Sequence, residues 1–390
     1  MRKRDEADLE LDVQAAAYLA GEDRTQRFIA KAMGKSTPIV SRLLQIARQE
    51  GWLEQKFKPG DLTEEQMRAV RERASAALWS DALRRVLEQV PGPSAPQIRV
   101  LPSRRGTWDA RLDGFGEAAA SCVRDLTLQS KTGVGVTWGV TIASIVRGID
   151  RLPAVHVKKR IQFVPLCPEP LGLRPTLTSS SNLAAQMDRV INGRTDNDLS
   201  LAVVPAMIPL SFSASETAAI WKMVRLVDSY RRIFGEQHPT AGDPPPHVDC
   251  IDTILTSVSS PERGPLGFIN DEIIRRGRVD RRSLEGIVLG DIGGVLIPRP
   301  GLSAEAKAEY TRIQQHWTGL KVETLKRCRD AACSGHGAGV IVVAVGASKA
   351  RFVLDGVIKQ GLANHIIIDE ELKKKLEDIV ANQPARKPQP

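Results

Sequence analysis

Three short stretches put glycine, hydroxyl and cationic residues where the apolar pattern changes from strand to helix. In TGVGVTWGVTIASIV, residues 132–146, Gly135, Thr137, Trp138, Gly139 and Thr141 stand between a β-branched run and a helical apolar pattern. At 178–182, Thr-Ser-Ser-Ser-Asn brings Ser180 and Ser181 to a helix start, and at 346–349 Gly346, Ser348 and Lys349 follow a valine-rich run. Turns of this kind aim free backbone N–H groups and the positive end of a helix at an anion. Glycine lets the backbone approach, hydroxyls add bonds and a lysine adds charge, so the chemistry they suit is phosphate binding. Asp291, just after an apolar run at 287–289, adds an acceptor for sugar hydroxyls. Any one of these turns would serve equally well as tight strand-to-helix packing, but three in the same topological position favour a ligand.

The spacing excludes the commonest users of such turns. Gly133, Gly135 and Gly139 do not form G-x-G-x-x-G, no acidic residue ends the next strand at the expected distance, and no G-x-x-x-x-G-K-[ST] occurs. No nucleotide cofactor is expected. Cys328, Cys333 and His336 lie close together but match no zinc spacing and lack a clear fourth ligand, so no metal is expected. No Ser/His/Asp set and no carboxylate pair suited to acid–base work stands out, so no catalytic residue is assigned.

The elements that must hold these turns alternate. From 98 to 381, strands at 98–101, 132–136, 160–167, 199–204, 250–258, 287–289 with a partner near 294–298, 340–345 and 365–369 are separated by helices, which predicts an α/β domain with a largely parallel sheet. Helices fit 108–126, 140–149, 182–191, 215–234, 303–316 and 349–360. A proline-rich insertion occupies 236–247, and the tail after 381 is proline-rich, basic and expected to be disordered.

The first 58 residues have a different character. Helices fit 9–20, with Leu11, Ala15, Tyr18 and Leu19 inward; 25–33, with Phe28, Ile29 and Ala32 inward; and 37–50, with Val40, Leu43, Leu44 and Ala47 inward. Ser36 or Thr37 caps the third helix, Pro38 fits its first turn, and 52–58 reads as a wing strand. Between Arg24 and Lys58 there are eight basic residues and two acids, and neither acid precedes Glu50. This is a winged helix-turn-helix pattern with a one-signed face suited to DNA phosphates. The candidate contacts are Thr25, Gln26, Lys31, Lys35, Ser36, Thr37, Pro38, Ser41, Arg42 and Arg48. A connector, 59–97, carries a long helical pattern at 63–90 that is compatible with a dimer contact.

The bulk properties agree with a globular chain. Of 390 residues, 42% are hydrophobic and 26% charged, with net charge +9, enough for two or three domains and compatible with a polyanion partner. Aromatics at 4% disfavour a stacking platform for single strands, leaving duplex as the expected nucleic acid. Five scattered cysteines suggest no disulfide framework, and neither a signal peptide nor an apolar run of spanning length is present. A cytoplasmic protein with no membrane partner is expected.

Four segments, IAKAMGKSTPIVSRLLQIARQEGWL (29–53), GVGVTWGVTIASIV (133–146), LEGIVLGDIGGVLI (284–297) and VIVVAVGASKARFVLDGVIKQGLANHIIIDE (340–370), resemble the SorC family of bacterial transcriptional regulators, the DeoR-like sugar-binding regulators. The resemblance implies an N-terminal helix-turn-helix at 1–58, a helical linker at 59–97, a Rossmann-like effector domain at 98–381 similar to phosphosugar isomerases and deaminases but without their catalysis, and a tail at 382–390. It also implies duplex operator DNA and a sugar-phosphate effector as partners, in a homo-oligomer, dimer or tetramer. Thr137, Gly139 and Thr141 match its first phosphate loop, Ser180 and Ser181 approximately the second, Asp291 its acidic position, and Gly346, Ser348 and Lys349 the third. The chain departs from the family pattern at VPLCPEPLG and at VLIPRPG. A sugar-phosphate isomerase or deaminase with an accessory head is the competing expectation.

Overall fold

The computed structural model describes residues 2–22, 24–53, 66, 70, 79–91, 95–104, 106–155, 157, 159–168, 178–194, 197–235, 244–260, 273–274 and 279–382. The chain divides into two compact units, Met1–Val86 and Leu87–Pro390.

In the first unit, α1 (Arg2–Gly21), α2 (Gln26–Ala32) and α3 (Thr37–Gln49) close on one another. The Thr25 side chain accepts the Phe28 N–H to start α2, Gly34 turns the chain at φ +62, and Pro38 sits in the first turn of α3, where its missing N–H leaves no bond unmade. Val40, Leu43, Leu44 and Ala47 form the buried stripe of α3 that the spacing predicts. On α1, Ala15 and Leu19 are buried and Tyr18 packs against the cluster as the spacing predicts, Leu11 is half-buried, and Val13, Ala16 and Ala17 are buried in addition. Of the wing predicted at 52–58, positions from 54 onward lie outside the described residues, as do most of 63–78, the loop at 236–243 and the tail from 383. The predicted continuous helix at 63–90 is interrupted: Trp79 and Ser80 are non-helical, and a fresh helix, Asp81–Glu88, starts with the Leu83 N–H on Ser80 Oγ.

The second unit is α/β. Six parallel strands run in the order β1 (Gln97–Leu101), β8 (His365–Asp369), β7 (Gly339–Ala344), β4 (Thr253–Ser259), β2 (Gly133–Val136), β3 (Gln162–Pro165). An antiparallel arm of β5 (Val288–Ile292) and β6 (Val295–Pro298) joins through Val258 and Ser259 of β4. β7 is buried along its whole length, as a β-branched run must be when helices cover both faces of a parallel sheet. The helices Arg281–Ile287, Val322–Cys333 and Glu370–Ala381 are additional to those predicted, and elsewhere predicted and observed elements differ in kind at three places. The run at 199–204 is a turn, since Leu199 and Leu201 are buried while Val203 is exposed, and the Leu201 N–H is taken by Ser181 Oγ instead of a neighbouring strand. The helix predicted at 215–234 is two helices, Ala214–Val224 and Asp228–Phe234. The segment predicted at 349–360 changes winding as it goes, from a 3₁₀ turn (Ala347–Lys349) through one α turn (Ala350–Phe352) to a π stretch (Val353–Ile358).

Two glycines set a close helix–helix contact in this unit. Helices Trp108–Thr127 and Val140–Asp150 cross so closely that a Cβ on Gly148 would lie 2.5 Å from the Gly116 carbonyl oxygen, and one on Gly116 would strike the Ser144 carbonyl. Backbone packs on backbone there, behind the turn that follows β2. Topology places the crevice: the chain leaves β2 outward to β3, returns to β4 on the other side of β2, and moves on to β7, so strand order reverses between β2 and β4. In open parallel sheets that reversal, at the carboxyl ends, is where ligands sit.

Candidate functional site

Two surfaces carry the predicted residues, one in each unit. On the first unit, Thr25, Gln26, Lys31, Ser36, Thr37, Pro38, Ser41, Arg42 and Arg48 are exposed, whereas Lys35 is half-buried with its ammonium 2.8 Å from Asp12. Neither α2 nor α3 contains a carboxylate. Arg24 is different: it is 8% exposed, and its guanidinium lies 5.1 Å from the Phe28 ring centroid, so it supports the turn before α2 and does not belong to the basic face. The exposed side of α3 thus alternates hydroxyl and guanidinium groups over a one-signed surface.

On the second unit, the first two predicted loops meet at the end of β2. Gly139 has φ +134 and donates its N–H to the Thr178 carbonyl at 3.1 Å, and a Cβ there would lie 2.7 Å from Ser257 Oγ, so only glycine fits. Ser257 Oγ donates to the Trp138 carbonyl, and the Trp138 ring meets Trp317 edge to face at 5.6 Å. Thr137 is fully buried with its Oγ1 against Thr256 Oγ1 at 3.1 Å, and Thr141 is buried in the first helical turn. Gly135 lies inside β2, paired with Val164 and Ile254, where an added Cβ would strike Leu166, so it packs the sheet.

The serines at the second loop are engaged by their own chain. Ser179 Oγ caps its helix through the Asn182 N–H, and Ser181 Oγ accepts the Leu201 N–H. Ser180 Oγ is fully buried, donates to the Val136 carbonyl at 2.6 Å and accepts the N–H groups of Leu166 and Cys167 at 2.9 and 3.2 Å. It staples the ends of β2 and β3. Ser180→Ala takes this partner from the buried Cys167 N–H, while the Leu166 N–H and the Val136 carbonyl keep each other at 3.0 Å, and urea unfolding is expected to show a loss of about 1–3 kcal/mol.

The third loop holds the cation. Gly346, at φ +93, donates its N–H to Asp369 Oδ1 at 3.0 Å and opens the turn that carries Ser348, exposed, and Lys349, half-buried. Desolvation pulls the Lys349 ammonium down to about 8, and the charges of Asp291 and Asp369 act in the opposite sense. Asp291, on β5, is buried and held by the Gly294 N–H at 2.9 Å and by Ser259 Oγ. The arm reaches the first loop as well, because a Cβ on Gly293 would come 2.5 Å from Thr137 Cγ2 and 2.7 Å from Thr256 Oγ1. The β5–β6 arm therefore links the turn after β2 with the acid facing Lys349.

Asp369 is a residue the sequence reading missed. It is 2% exposed, caps the helix Glu370–Ala381 through the Leu372 N–H, fixes the Gly346 turn, and meets Arg111 at 3.3 Å. An acid ending a strand directly before a helix, in step with a glycine turn on the next strand, is the signal that could have found it. The Arg111 guanidinium also stacks 5.7 Å from the ring centroid of Trp108, itself beside Gly346. Cys328, by contrast, is buried with its thiol on the Ile251 carbonyl and pushed up to about 12 by burial, which suits a protonated core group. Among the described residues no group of three or more potential ligands could hold a metal ion.

No protein-family model and no curated protein sequence matches the chain. Solved structures do match it by fold. The full-length sorbitol operon regulator SorC from Klebsiella pneumoniae is similar over 95% of this chain and 99% of its own, at 18% identity and a TM-score of 0.53. A domain of a possible sugar-binding transcriptional regulator from Arthrobacter aurescens TC1 is similar over 75% of this chain and 97% of its own, at 21% identity and a TM-score of 0.51. The fold is therefore the one seen in these regulators, a helical head followed by an α/β unit.

Proposed function

We propose that the protein is a transcriptional regulator that binds duplex operator DNA through α3 and changes its affinity when a sugar phosphate occupies the loops around Lys349. The observation that carries this reading is the exposed, carboxylate-free face of α2 and α3, since a merely solvated helical pair would mix charge signs. Thr37, Ser41 and Arg42 would meet base edges or phosphates in the major groove, with Thr25, Gln26, Lys31, Lys35, Ser36, Pro38 and Arg48 at or beside the backbone. In the other unit Lys349 supplies the charge for the phosphate, Gly139, Gly346 and Ser348 supply close backbone and hydroxyl contacts, and Asp291 orients sugar hydroxyls.

The reading is regulatory and not catalytic. Asp291 is held by the Gly294 amide and Ser259, and Asp369 by two backbone amides and Arg111, so both carboxylates are committed to the fold and poorly placed to act as bases. Among the described residues no helix is long and apolar enough to cross a membrane, which fits a cytoplasmic partner of DNA. A homo-oligomer, dimer or tetramer, would match paired operator half-sites. Both partners are tested by mobility shift of the protein on its own upstream duplex, with and without ribose 5-phosphate and glucosamine 6-phosphate. A salt-sensitive shift that one of these ligands alters is expected. Absence of any duplex binding at low salt overturns the proposal, and turnover of either phosphate overturns its regulatory part.

A further inference from the structure

Of the six tryptophans only Trp108 is exposed, at 41%, although an indole is among the side chains that gain most from burial. It is the first residue of the helix Trp108–Thr127, which Thr107 starts by accepting the Ala110 N–H at 3.3 Å. The chain arrives there from β1, whose last residue, Leu101, pairs with Asp369 at the end of β8. The ring therefore stands at the carboxyl ends of the parallel strands, where the third loop opens.

Two contacts fix its position. The Gly346 α-carbon lies against the ring, since a Cβ there would come 3.5 Å from Cζ3 and 3.7 Å from Cη2. The Arg111 guanidinium, one turn along the same helix, lies 5.7 Å from the ring centroid and is tied to Asp369 at 3.3 Å and to Glu371 at 2.6 Å. Asp369 in turn accepts the Gly346 N–H at 3.0 Å, so ring, guanidinium, carboxylate and loop brace one another. An indole oriented before a ligand arrives spares that ligand the cost of ordering it. Held in this way, Trp108 still leaves on the order of 100 Å² of its surface in solvent. The loop beside it is short: the Lys349 N–H closes the turn on the Gly346 carbonyl at 3.2 Å, so the indole and the Lys349 ammonium border one turn.

We propose that Trp108 selects a cyclic sugar at the effector site, the C–H face of the ring lying on the indole while the phosphate meets Lys349 and Ser348. This rests on the sugar-phosphate reading and adds the part of the ligand that no charged or hydroxyl group of the loops can recognise. A furanose or pyranose ring is polar at its rim and apolar across its face, so it calls for hydrogen-bonding groups around it and carbon surface beneath it. Phosphate and hydroxyl contacts alone would accept a ringless polyol phosphate as readily. A flat, fixed indole separates the two, because only the cyclic ligand covers it.

Isothermal titration of the full-length protein with glucosamine 6-phosphate, ribose 5-phosphate and ringless glycerol 3-phosphate tests this. At least one cyclic phosphate is expected to bind about tenfold or more tighter than glycerol 3-phosphate. Trp108→Ala is expected to weaken that cyclic ligand about five- to tenfold and to change glycerol 3-phosphate by less than about twofold. Trp108→Phe keeps a flat ring and is expected to stay within about threefold of the unsubstituted protein for both. A tryptophan that served packing alone would lower both affinities together or neither. A ringless phosphate too weak to titrate is the selectivity expected, and recovery of the cyclic ligand in Trp108→Phe then decides. Should Trp108→Ala fail to fold, Trp108→Gln, with a long side chain and no ring, takes its place. Equal affinity for cyclic and ringless phosphates, a parallel loss of both, no loss of the cyclic ligand, or no recovery in Trp108→Phe overturns the role of Trp108 and leaves the sugar-phosphate reading standing. Failure of all three phosphates to bind the unsubstituted protein up to about 10 mM overturns that reading, and the role of Trp108 with it.

Discussion

Arg42→Ala is expected to weaken binding to the operator duplex by about ten- to a hundredfold, the loss usual for a guanidinium that reaches a base edge or phosphate from a helix in the major groove. Arg42 lies on the exposed side of α3, opposite the stripe of Val40, Leu43, Leu44 and Ala47, so the same change leaves thermal stability within about 0.5 kcal/mol. Its effect on salt dependence discriminates further. Each lysine or arginine that neutralises a phosphate contributes about 0.9 to the slope of log affinity against log salt, so Arg48→Ala, on the same face, is expected to lower that slope by about 1. Arg24→Ala is the control. Its guanidinium covers Phe28 inside the unit, so its loss is expected to appear first as a lower unfolding midpoint and not as a changed slope. Unchanged affinity and slope in Arg42→Ala and Arg48→Ala would remove α3 from the interface.

Lys349→Met is expected to do two opposite things. It removes the charge that answers a phosphate, so effector affinity falls tenfold or more and the ligand no longer changes operator binding, while binding to the operator itself persists. It also removes a desolvated ammonium, so the protein becomes more stable at pH 7 by about 1 kcal/mol or more. The sign follows from the direction of the shift. Burial lowers this lysine from 10.5 to about 8, so the unfolded chain binds more protons between those values. The penalty is full below about 8 and is relieved as pH rises toward 10.5; the advantage of the methionine variant shrinks over the same window. Effector response of the unsubstituted protein is expected to decline as pH rises through about 8, when the ammonium is lost. Asp291 and Asp369 keep other partners in the variant, so no buried carboxylate is abandoned. Calorimetric unfolding together with effector titration measures both effects; unchanged effector affinity would sink the site assignment.

Much of the architecture is legible from periodicity because the central strands are buried on both faces. The run at 365–369 ends where the sequence says, between a histidine and an acid that caps the next helix. Legibility fails where an interaction made elsewhere decides the outcome. Leu199 and Leu201 alternate with polar residues like a strand, but the hydroxyl of Ser181 takes the amide a ladder would need. The break at 225–227 carries no glycine or proline, and the apolar period runs across it unchanged. In the site, residue type points to turns suited to an anion and says nothing about prior engagement. The hydroxyls at 179–181 look like ligands and are found capping, stapling and bracing. Lys349 reads as the cation of a phosphate loop, and its desolvation, opposed by Asp291 and Asp369 from distant parts of the sequence, emerges only in the fold.

The crossing at Gly116 and Gly148 has a consequence measured in time. At that crossing the Gly116 and Gly148 backbones meet directly, with the side chains of Ala120 and Ser144 beside them, so parting the helices would uncover backbone carbonyls at once. Their amide protons should exchange with solvent only when the whole α/β unit opens, which makes them its clock. Ligands that stabilise the unit should slow that exchange uniformly along both helices, including ligands bound at the far end of the sheet, whereas protection confined to a loop would report contact alone.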